Sequence, residues 1–372
     1  MKIGIPKEIK NKEGRVSLTP SAVKELVDLG HEVFVEFDAG VASGFDDRLY
    51  KQQGAVLVGA EDAWNTDLVV KVKEPLPSEY QFLKQQLVFT FFHLAGVDPG
   101  LTEALLKSGT TAIAYETMED ENGNLPLLAP MSAIAGNMAT LMGSYYLAKF
   151  NAGKGVLLGK VLGTKHGRVL IVGDGVVGRH AASVASAMGA EVFVAGIDES
   201  KMRALKQSEL PEVTFIVSNE ENLSRYVAES DLVIGAVLCR GAKAPKVISE
   251  KMVRSMSEGS VIVDVSIDQG GCVETAIPTT HSDPVFTRHG VVHYCVSNMP
   301  GAYPQTATLA LVEATIPYVK KIAGSGLSGL LGGHKGMAES ILACSGKLTN
   351  KTVARALGMM NVYQGVDELR QP

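Results

Sequence analysis

The sequence predicts an α/β protein made of two doubly wound domains, each built on a mainly parallel sheet. Three observations support this fold class. The chain has 372 residues, which exceeds what one hydrophobic core usually organises. It is 46% hydrophobic and 20% charged, the composition of a globular protein and not of a disordered one. Short apolar runs alternate with helical patterns, and this alternation starts twice along the chain.

The first alternation fills most of the N-terminal third of the chain. Its strand candidates are KIGIP, EVFVEF, AVLV, DLVVKV, LVFTFF and TTAIAYE. Thr19 followed by Pro20 is typical of a helix start, and the helix that they open ends at Gly30. A further helix is predicted over LTEALLKSG. Buried runs that alternate with helices indicate a parallel sheet covered on both faces.

The second alternation follows a long uncharged helix near residues 130–150. RVLIVG, EVFVAG, VTFIVS, DLVIGA and SVIVDV are five hydrophobic strands separated by helical segments, the pattern of a Rossmann dinucleotide-binding domain. Another long helix is predicted over TLALVEATIPYVKKIA, followed by a helical, polar tail that returns to the first domain. We therefore expect a discontinuous substrate domain (1–130 and 305–372), a nucleotide domain (131–304) and a cleft between them.

Composition and charge exclude several classes of function. A net charge of −5 with scattered Lys and Arg gives no basic field for nucleic acid. The start MKIGIPKEIKNKEGR has no apolar run of signal-peptide length, so we expect a cytoplasmic protein. Residues 125–148 carry no formal charge, but their prolines, glycines and hydroxyl groups favour a buried helix over a membrane span. Four cysteines without a CxxC pair predict buried thiols and no metal site: Cys239, Cys272, Cys295 and Cys344.

A glycine-rich loop follows the first strand of the second domain and opens a helix. It reads Gly173, Asp174, Gly175, Val176, Val177 and Gly178. In such a loop the first glycine permits a tight turn, the second lets the backbone approach a pyrophosphate, and the third lets helix and strand pack closely. The helix N-terminus offers N–H groups and a positive dipole end to the same anion. The placement between strand and helix predicts a dinucleotide site.

Two features depart from the usual dinucleotide pattern. Asp174 puts a carboxylate inside the phosphate loop, so this side chain must point away from the pyrophosphate or be offset by Arg179. The acid that usually ends the second strand and binds the ribose hydroxyls is replaced by Gly196, and the nearest carboxylate is Asp198. With Glu199 beside it, Asp198 should repel a 2′-phosphate. We therefore expect NAD to be preferred over NADP, though less strongly than usual.

Nine segments, in order, are spread over nearly the whole chain: KIGIPKEIKN, VKEPLP, FTFFHLA, TAIAYET, LPLLAPMS, DLVIGAV, GAKAPK, DVSIDQGGC and SNMPGA. Together they resemble the bacterial alanine dehydrogenase family, which is related to transhydrogenase NAD-binding subunits. The resemblance implies an NAD-dependent enzyme that takes a hydride from L-alanine and leaves an imine, which water hydrolyses to pyruvate and ammonia. Family members are often homohexamers, so it also implies a homo-oligomer.

The resemblance assigns the substrate side to three residues. Arg15 matches the family's carboxylate-binding arginine, and a guanidinium suits a planar carboxylate. Lys73 lies at the carboxyl end of the predicted strand DLVVKV, and Lys71 lies two residues earlier on the same face, so spacing does not choose between them. The family's lysine directly precedes Glu-Pro, which selects Lys73. His93 matches the catalytic histidine, since imidazole can activate the water that attacks the imine. From the residues alone, Arg15 could be a surface arginine and His93 a structural group.

On the cofactor side, Asp268 matches the family's catalytic aspartate, which also contacts the nicotinamide ribose. Its competitor Asp264 lies inside a strand. The glycine loop and the resemblance assign the other cofactor contacts to Ser132, Gly173, Gly175, Val176, Val177, Gly178, Asp198, Ser218, Val237, Leu238, Asn298 and Met299. Tyr115 and Glu116 stay open between lining the site and packing the first domain. The chain reads GKVLG where the family reads GGVPG, a departure away from the proposed chemistry.

Three rival functions share these features. The first is a transhydrogenase NAD(H)-binding subunit, which has the same fold and many of the same segments. The second is a catalytically silent nucleotide sensor, which would bind a nucleotide without turnover. The third is a dehydrogenase that acts on another small amino acid. The joint presence of Arg15, Lys73, His93 and Asp268 favours the amino-acid enzyme, because a pure hydride relay has no carboxylate or water to handle.

Overall fold

The computed structural model describes residues 1–239 and 243–370; residues 240–242, where the GAKAPK segment begins, and residues 371–372 lie outside the described part. The strands are β1 (Lys2–Ile5), β2 (Glu32–Glu36), β3 (Val56–Val58), β4 (Leu68–Val70), β5 (Leu87–Thr90), β6 (Thr111–Ala114), β7 (Gly159–Val161), β8 (Thr164–His166), β9 (Arg168–Val172), β10 (Glu191–Gly196), β11 (Thr214–Val217), β12 (Leu232–Gly235), β13 (Val261–Asp264), β14 (Val285–Arg288), β15 (Val291–Tyr294), β16 (Ile341–Cys344) and β17 (Lys347–Leu348). The α-helices are α1 (Pro20–Asp28), α2 (Asp47–Gln52), α3 (Ala60–Trp64), α4 (Pro99–Ser108), α5 (Ala129–Tyr146), α6 (Val176–Met188), α7 (Glu199–Ser208), α8 (Glu220–Glu229), α9 (Glu250–Arg254), α10 (Pro304–Leu331), α11 (Lys335–Ala338) and α12 (Lys351–Ala356).

The first of two compact units comprises Met1–Met131 and Gly301–Pro372. Its sheet has the strand order β17-β16-β6-β5-β4-β1-β2-β3. The six N-terminal strands are parallel, and β16 pairs antiparallel with both β6 and β17. In chain order these six strands read 3-2-1-4-5-6, so the direction of winding reverses between β1 and β4. In open α/β sheets ligands bind outside the carboxyl ends of the strands at such a reversal.

The α1 helix begins and ends where the sequence predicts, and α4 begins two residues before its predicted run. The Thr19 hydroxyl accepts the N–H of Ala22 at 3.3 Å, Pro20 occupies the first turn of α1, and Gly30 follows with a φ of +83°. The α4 helix starts at Pro99 behind an Asp98 cap and stops at Gly109. Capping oxygens satisfy N–H groups that lack partners within the helix, and glycine adopts the left-handed turn without strain.

The second compact unit comprises Ser132–Pro300. Its sheet has the strand order β11-β10-β9-β12-β13-β15-β14, parallel except for the β14–β15 pair. From β11 to β15 this is the order of a Rossmann fold, with the reversal between β9 and β12. One hydrophobic cluster covers each face of the sheet, and the central strands are buried on both sides. The predicted fold class is therefore confirmed.

All the strands predicted in both alternations are present. The tail contains the helices α11 and α12, but it is not wholly helical as predicted. Residues 341–348 form β16 and β17, which extend the first sheet. The apolar run ILAC is four residues long and pairs with β6, more than 200 positions earlier in the chain. A run this short, whose partner is remote, gives no periodicity from which to recognise it. The antiparallel pair β14–β15 was also not predicted.

Two further expectations concern apolar segments and thiols. Within the described residues, no helix combines the length and the apolar composition that crossing a bilayer requires. Cys272, Cys295 and Cys344 are buried free thiols, as predicted, whereas Cys239 is a half-buried one.

Candidate active site

Polar side chains from several segments gather at the carboxyl edge of the first sheet. Glu8, which follows β1, accepts the N–H groups of Val72 at 2.6 Å and of Lys73 at 3.3 Å. This carboxylate therefore links the ends of β1 and β4, where the winding of the sheet reverses. Burial raises the pKa of Glu8, although the nearby Lys71 ammonium opposes that shift. Lys73 is thus held by its backbone at the place where this fold puts ligands.

Arg15 is buried and held by a carboxylate two residues away. Its side chain donates from Nε to Glu13 Oε1 at 2.7 Å and from Nη2 to Glu13 Oε2, and the Arg15 N–H binds the same carboxylate. Nη1 lies 3.0 Å from Met131 Sδ. Arg15 is 2% exposed, so it is not a surface arginine. Such a fork contact fixes the plane of the guanidinium.

The two candidate lysines have different surroundings. Lys71 is fully buried, with Nζ 3.0 Å from Glu79 Oε1 and 3.3 Å from Glu8 Oε2. Burial alone would lower the pKa of Lys71, but these two carboxylates raise it. Lys73 is 7% exposed and places Nζ 5.9 Å from the ring centroid of Phe91. Two carboxylates thus already neutralise Lys71, which supports Lys73 as the substrate lysine.

His93 stands on a strained turn beyond β5. Its φ is +48°, in the left-handed region that non-glycine residues rarely adopt. Glu116 stabilises the turn by accepting the N–H groups of His93 at 2.7 Å and of Phe92 at 3.2 Å. The imidazole stacks on Phe91 with an interplanar angle of 2° and a centroid distance of 5.6 Å. Backbone and ring are therefore both held in place, an arrangement often found where a side chain is aimed at a ligand.

Tyr115 and Glu116, whose roles the sequence left open, have different surroundings. Tyr115 is fully buried and packs edge-on against Phe89 and Phe91. Burial, with Glu8 nearby, raises the pKa of its hydroxyl well above the ordinary value. Glu116 supports the backbone of the His93 turn. Tyr115 therefore packs the sheet, and Glu116 positions a neighbour.

The glycine loop of the second unit has the geometry that its sequence predicts. Gly173 has a φ of +118°, and a Cβ there would lie 2.3 Å from the carbonyl oxygen of Ala236. A Cβ on Gly178 would lie 1.9 Å from the Gly173 oxygen, whereas one on Gly175 would meet nothing within 4 Å. The outer glycines thus permit the turn and the helix–strand contact. The open space beside Gly175, at the start of α6, fits a pyrophosphate.

The charged side chains around this loop do not form the Asp174–Arg179 pair that the sequence suggested. Arg179 does not offset Asp174: it forms a salt bridge with Glu209 at 2.9 Å. Asp174 Oδ1 instead lies 2.8 Å from Nζ of Lys201. Because Lys201 is 27 positions from Asp174, the local sequence could not show this pair.

Asp198, predicted to lie near the ribose, caps a helix. Its carboxylate accepts the N–H groups of Ser200 at 2.9 Å and Lys201 at 3.1 Å, at the start of α7. The residue is exposed. A ribose contact by Asp198 therefore has to compete with these two capping bonds.

We expect Asp198→Ala to lower the free energy of unfolding by about 0.5–2 kcal/mol, the usual effect of losing a helix cap. Urea denaturation measures this difference. Asp198→Asn keeps a capping oxygen and should unfold close to the parent. An alanine variant as stable as the parent would show that the cap contributes nothing.

Two aspartates lie near the end of β13: Asp264 has a structural role, and Asp268 is exposed. Asp264 is fully buried and accepts the N–H groups of Ser266, Cys272 and Val273 at 2.9–3.1 Å. Burial raises its pKa. Asp268 is exposed, and its Oδ2 accepts the Asn298 N–H at 3.4 Å. The Asp264 carboxylate is thus occupied by backbone N–H groups of the following loop. This supports Asp268 as the aspartate that takes part in the reaction.

The other residues assigned to the cofactor lie on several elements of the second unit. Ser132 lies in α5, Ser218 follows β11, Val237 and Leu238 follow β12, and Asn298 and Met299 follow β15. Leu238 is 55% exposed, whereas Asn298 and Met299 are buried. All but Ser132 follow the carboxyl ends of strands, the edge at which Rossmann folds bind nucleotides.

Sequence reasoning missed the carboxylates that hold these side chains, above all Glu8 and Glu13. Both lie in KEIKNKEGR, which looks like a solvated charged turn, so no local signal distinguished them from surface residues. Across residues 1–239 and 243–370, no group of three or more His, Cys, Asp or Glu side chains is arranged to hold a metal ion.

Two family models match the chain in succession: the N-terminal domain of alanine dehydrogenase/PNT over residues 4–135 and its C-terminal domain over residues 139–351. Alanine dehydrogenase of Staphylococcus epidermidis is 48% identical, covering 95% of this chain and 96% of the relative. Alanine dehydrogenase 2 of Staphylococcus aureus is 47% identical over the full length of both chains.

Solved structures give a consistent comparison. An L-alanine dehydrogenase superposes with a TM-score of 0.89 at 48% identity, covering 96% of this chain and 99% of that one. A transhydrogenase from Sinorhizobium meliloti has a TM-score of 0.79 at 24% identity, covering 94% and 99%, which shows a shared fold alone. With both domain models matched and relatives near 48% identity over almost the whole length, this chain belongs to the alanine dehydrogenase/PNT family.

Proposed function

We propose that the protein is an NAD-dependent amino-acid dehydrogenase that converts L-alanine and water reversibly to pyruvate and ammonium. The observation that carries this proposal is the joint presence of a positioned Arg15 and His93 at one sheet and an open glycine loop at the other. Relatives named alanine dehydrogenase support it over nearly the whole chain. The transhydrogenase that superposes on this chain is 24% identical, which supports a shared fold alone.

On the substrate side, we propose that residues 1–130 and 305–372 bind the amino acid. Arg15, fixed in plane by Glu13, pairs with the substrate carboxylate. The Lys73 ammonium supports the same carboxylate and, in the reverse direction, polarises the pyruvate carbonyl. Holding a small substrate by its carboxylate fixes the α-carbon for reaction, and such positioning lowers the barrier by several kcal/mol, roughly 7–11 in favourable cases.

Two residues manage protons in this proposal. The His93 imidazole takes a proton from the water that attacks the imine carbon, and the water oxygen becomes the pyruvate carbonyl oxygen while ammonia leaves. Asp268, exposed beyond β13, assists proton transfer and holds the nicotinamide ribose. Glu116 keeps the His93 backbone in its left-handed turn, so its effect is positional.

On the cofactor side, residues 131–304 bind the nucleotide in this proposal. The residues fit it: Gly175 leaves open space at the start of α6, and Gly173 and Gly178 allow the close turn. When bound, NAD supplies the hydride acceptor. The first N–H groups of α6 face the pyrophosphate in this arrangement, because the opening turn of a helix has no intrahelical partners for them.

NADH oxidation with ammonium and a keto acid tests the assignment. We expect pyruvate to give a higher kcat/KM than glyoxylate or 2-oxobutyrate, because the proposed site holds a small α-keto acid by a single carboxylate. Faster turnover of 2-oxobutyrate would overturn the alanine assignment and leave the dehydrogenase class standing. Absence of turnover with every keto acid would overturn the class as well.

We also propose that the protein forms a homo-oligomer, with the hexamer as the expected state. Several large apolar side chains of the second unit are exposed: Leu141, Tyr145, Phe150, Leu157, Val161 and Leu162. Leu141 and Tyr145 lie one turn apart on α5, and the Tyr145 and Phe150 rings are 6.0 Å apart, so these three form a contiguous apolar patch of the kind that favours association. Light scattering coupled to size-exclusion chromatography measures the mass, and a monomer at micromolar concentration would contradict the proposal.

A further inference from the structure

The end of β10 lacks the carboxylate that binds ribose in most NAD enzymes, but another carboxylate lies there. A Cβ placed on Gly196 would be 2.9 Å from Oδ2 of Asp174. The two residues are neighbours because β9 and β10 run parallel and Gly173 donates its N–H to Ala195 at 2.9 Å. Asp174 thus brings its carboxylate from the phosphate loop to the position that a strand-end acid would fill.

The two oxygens of this carboxylate have different surroundings. Oδ1 pairs with Lys201 at 2.8 Å, and the Asp174 side chain is 12% exposed. Oδ2 is buried and has no hydrogen-bond partner among the described residues. A buried carboxylate oxygen without a partner is costly, so a rotation of the carboxylate that brings this oxygen to a ligand hydroxyl would relieve that cost.

We propose that Asp174 replaces the missing strand-end acid and accepts hydrogen bonds from the adenosine ribose hydroxyls of NAD. This inference rests on the proposed function, which requires a nucleotide at the glycine loop. It assigns the ribose contact to Asp174, while Asp198 remains the cap of α7.

The same geometry determines selectivity between NAD and NADP. A carboxylate at the ribose repels a 2′-phosphate, as the strand-end acid does elsewhere. Lys201 could attract that phosphate, but the salt bridge to Asp174 holds its ammonium. Asp174 therefore disfavours NADP in two ways, by its own charge and by neutralising Lys201.

Calorimetric titration with ADP-ribose and 2′-phospho-ADP-ribose tests the role of Asp174. It measures affinity and does not depend on enzyme activity. In Asp174→Ala, ADP-ribose should bind about 10–100-fold more weakly, the usual loss for charge-assisted hydrogen bonds. The 2′-phosphorylated ligand should lose less or bind more tightly, because Lys201 is released. Adding Lys201→Ala to Asp174→Ala should remove that advantage. Glu221→Ala, which removes an exposed acid from the first turn of α8, is the charge control and should keep the parent's ratio of affinities.

A second test moves the carboxylate from position 174 to the strand end at position 196. Gly196→Asp alone places its Cβ 2.9 Å from Oδ2 of Asp174 and 2.8 Å from Sδ of Met202. The new carboxylate is therefore crowded and repelled by the first, and ADP-ribose should bind more weakly. Gly196→Asp combined with Asp174→Gly restores a single strand-end acid and should regain the preference for ADP-ribose over its 2′-phosphate.

The outcomes separate the two proposals. Unchanged selectivity in Asp174→Ala, or a shift in Asp198→Ala instead, would overturn the role of Asp174. A parent protein that binds neither ADP-ribose nor NADH would instead overturn the proposed function.

Discussion

The His93→Ala variant should turn over at least about 100-fold more slowly than the parent, the low end for a positioned acid–base group. The imidazole is the proposed acceptor of the proton from the attacking water, and its ring is held by Phe91. NADH binding should change little, because His93 is not among the residues proposed to bind the nucleotide. Steady-state kinetics and an NADH titration measure the two effects separately.

His93→Asn is the matched control for backbone strain. Asparagine tolerates a positive φ better than most residues, so the turn at +48° should persist while the imidazole is lost. We expect both variants to be slow and added imidazole to restore part of the activity. If His93→Asn retains near-parental turnover, the histidine is structural and another group activates the water.

Most of the fold follows from local patterns in the sequence. Strands such as β9 and β12 are buried on both faces and read as continuous apolar runs, and the caps of α1 and α4 are marked by Thr-Pro and Asp-Pro pairs. The strands that were missed depend on remote partners. β16 is recognisable only through its pairing with β6, which requires the chain to return after α10.

In the candidate site too, contiguous motifs are predictable from the sequence, whereas pairs of residues remote in sequence are not. The glycine loop is contiguous, and each glycine has a steric reason that the sequence alone suggests. The supporting pairs are not all contiguous: Lys201 reaches Asp174 across 27 positions, and Glu116 binds the His93 backbone across 23. Only the fold brings these partners together. The choice of Lys73 over Lys71 rests on family resemblance, and the pairing of Lys71 with Glu8 and Glu79 supports it.

Replacing Lys71 should lower the free energy of unfolding, whereas replacing Lys73 should lower kcat/KM. Lys71→Met leaves the buried carboxylates of Glu8 and Glu79 without their cation, and breaking a buried ion pair from one side costs about 3–5 kcal/mol. Lys73→Met removes the proposed substrate contact, so kcat/KM per folded enzyme should fall by about 100-fold while NADH still binds. Urea denaturation and kinetics on both variants distinguish the two roles.

The pH dependence of unfolding gives the Lys71 prediction a second measurement. Burial raises the pKa of Glu8 above its usual 4.5, and Lys71 is the main group that opposes this rise. A carboxyl with a raised pKa in the folded state stabilises the fold at low pH, and this contribution is lost as the pH rises through that pKa. Without Lys71 the pKa of Glu8 rises further, so the stability gap between parent and Lys71→Met should shrink from about pH 7.5 to about pH 5. A gap that is constant over this range would mean that the loss comes from packing and that the two carboxylates are not left unpaired.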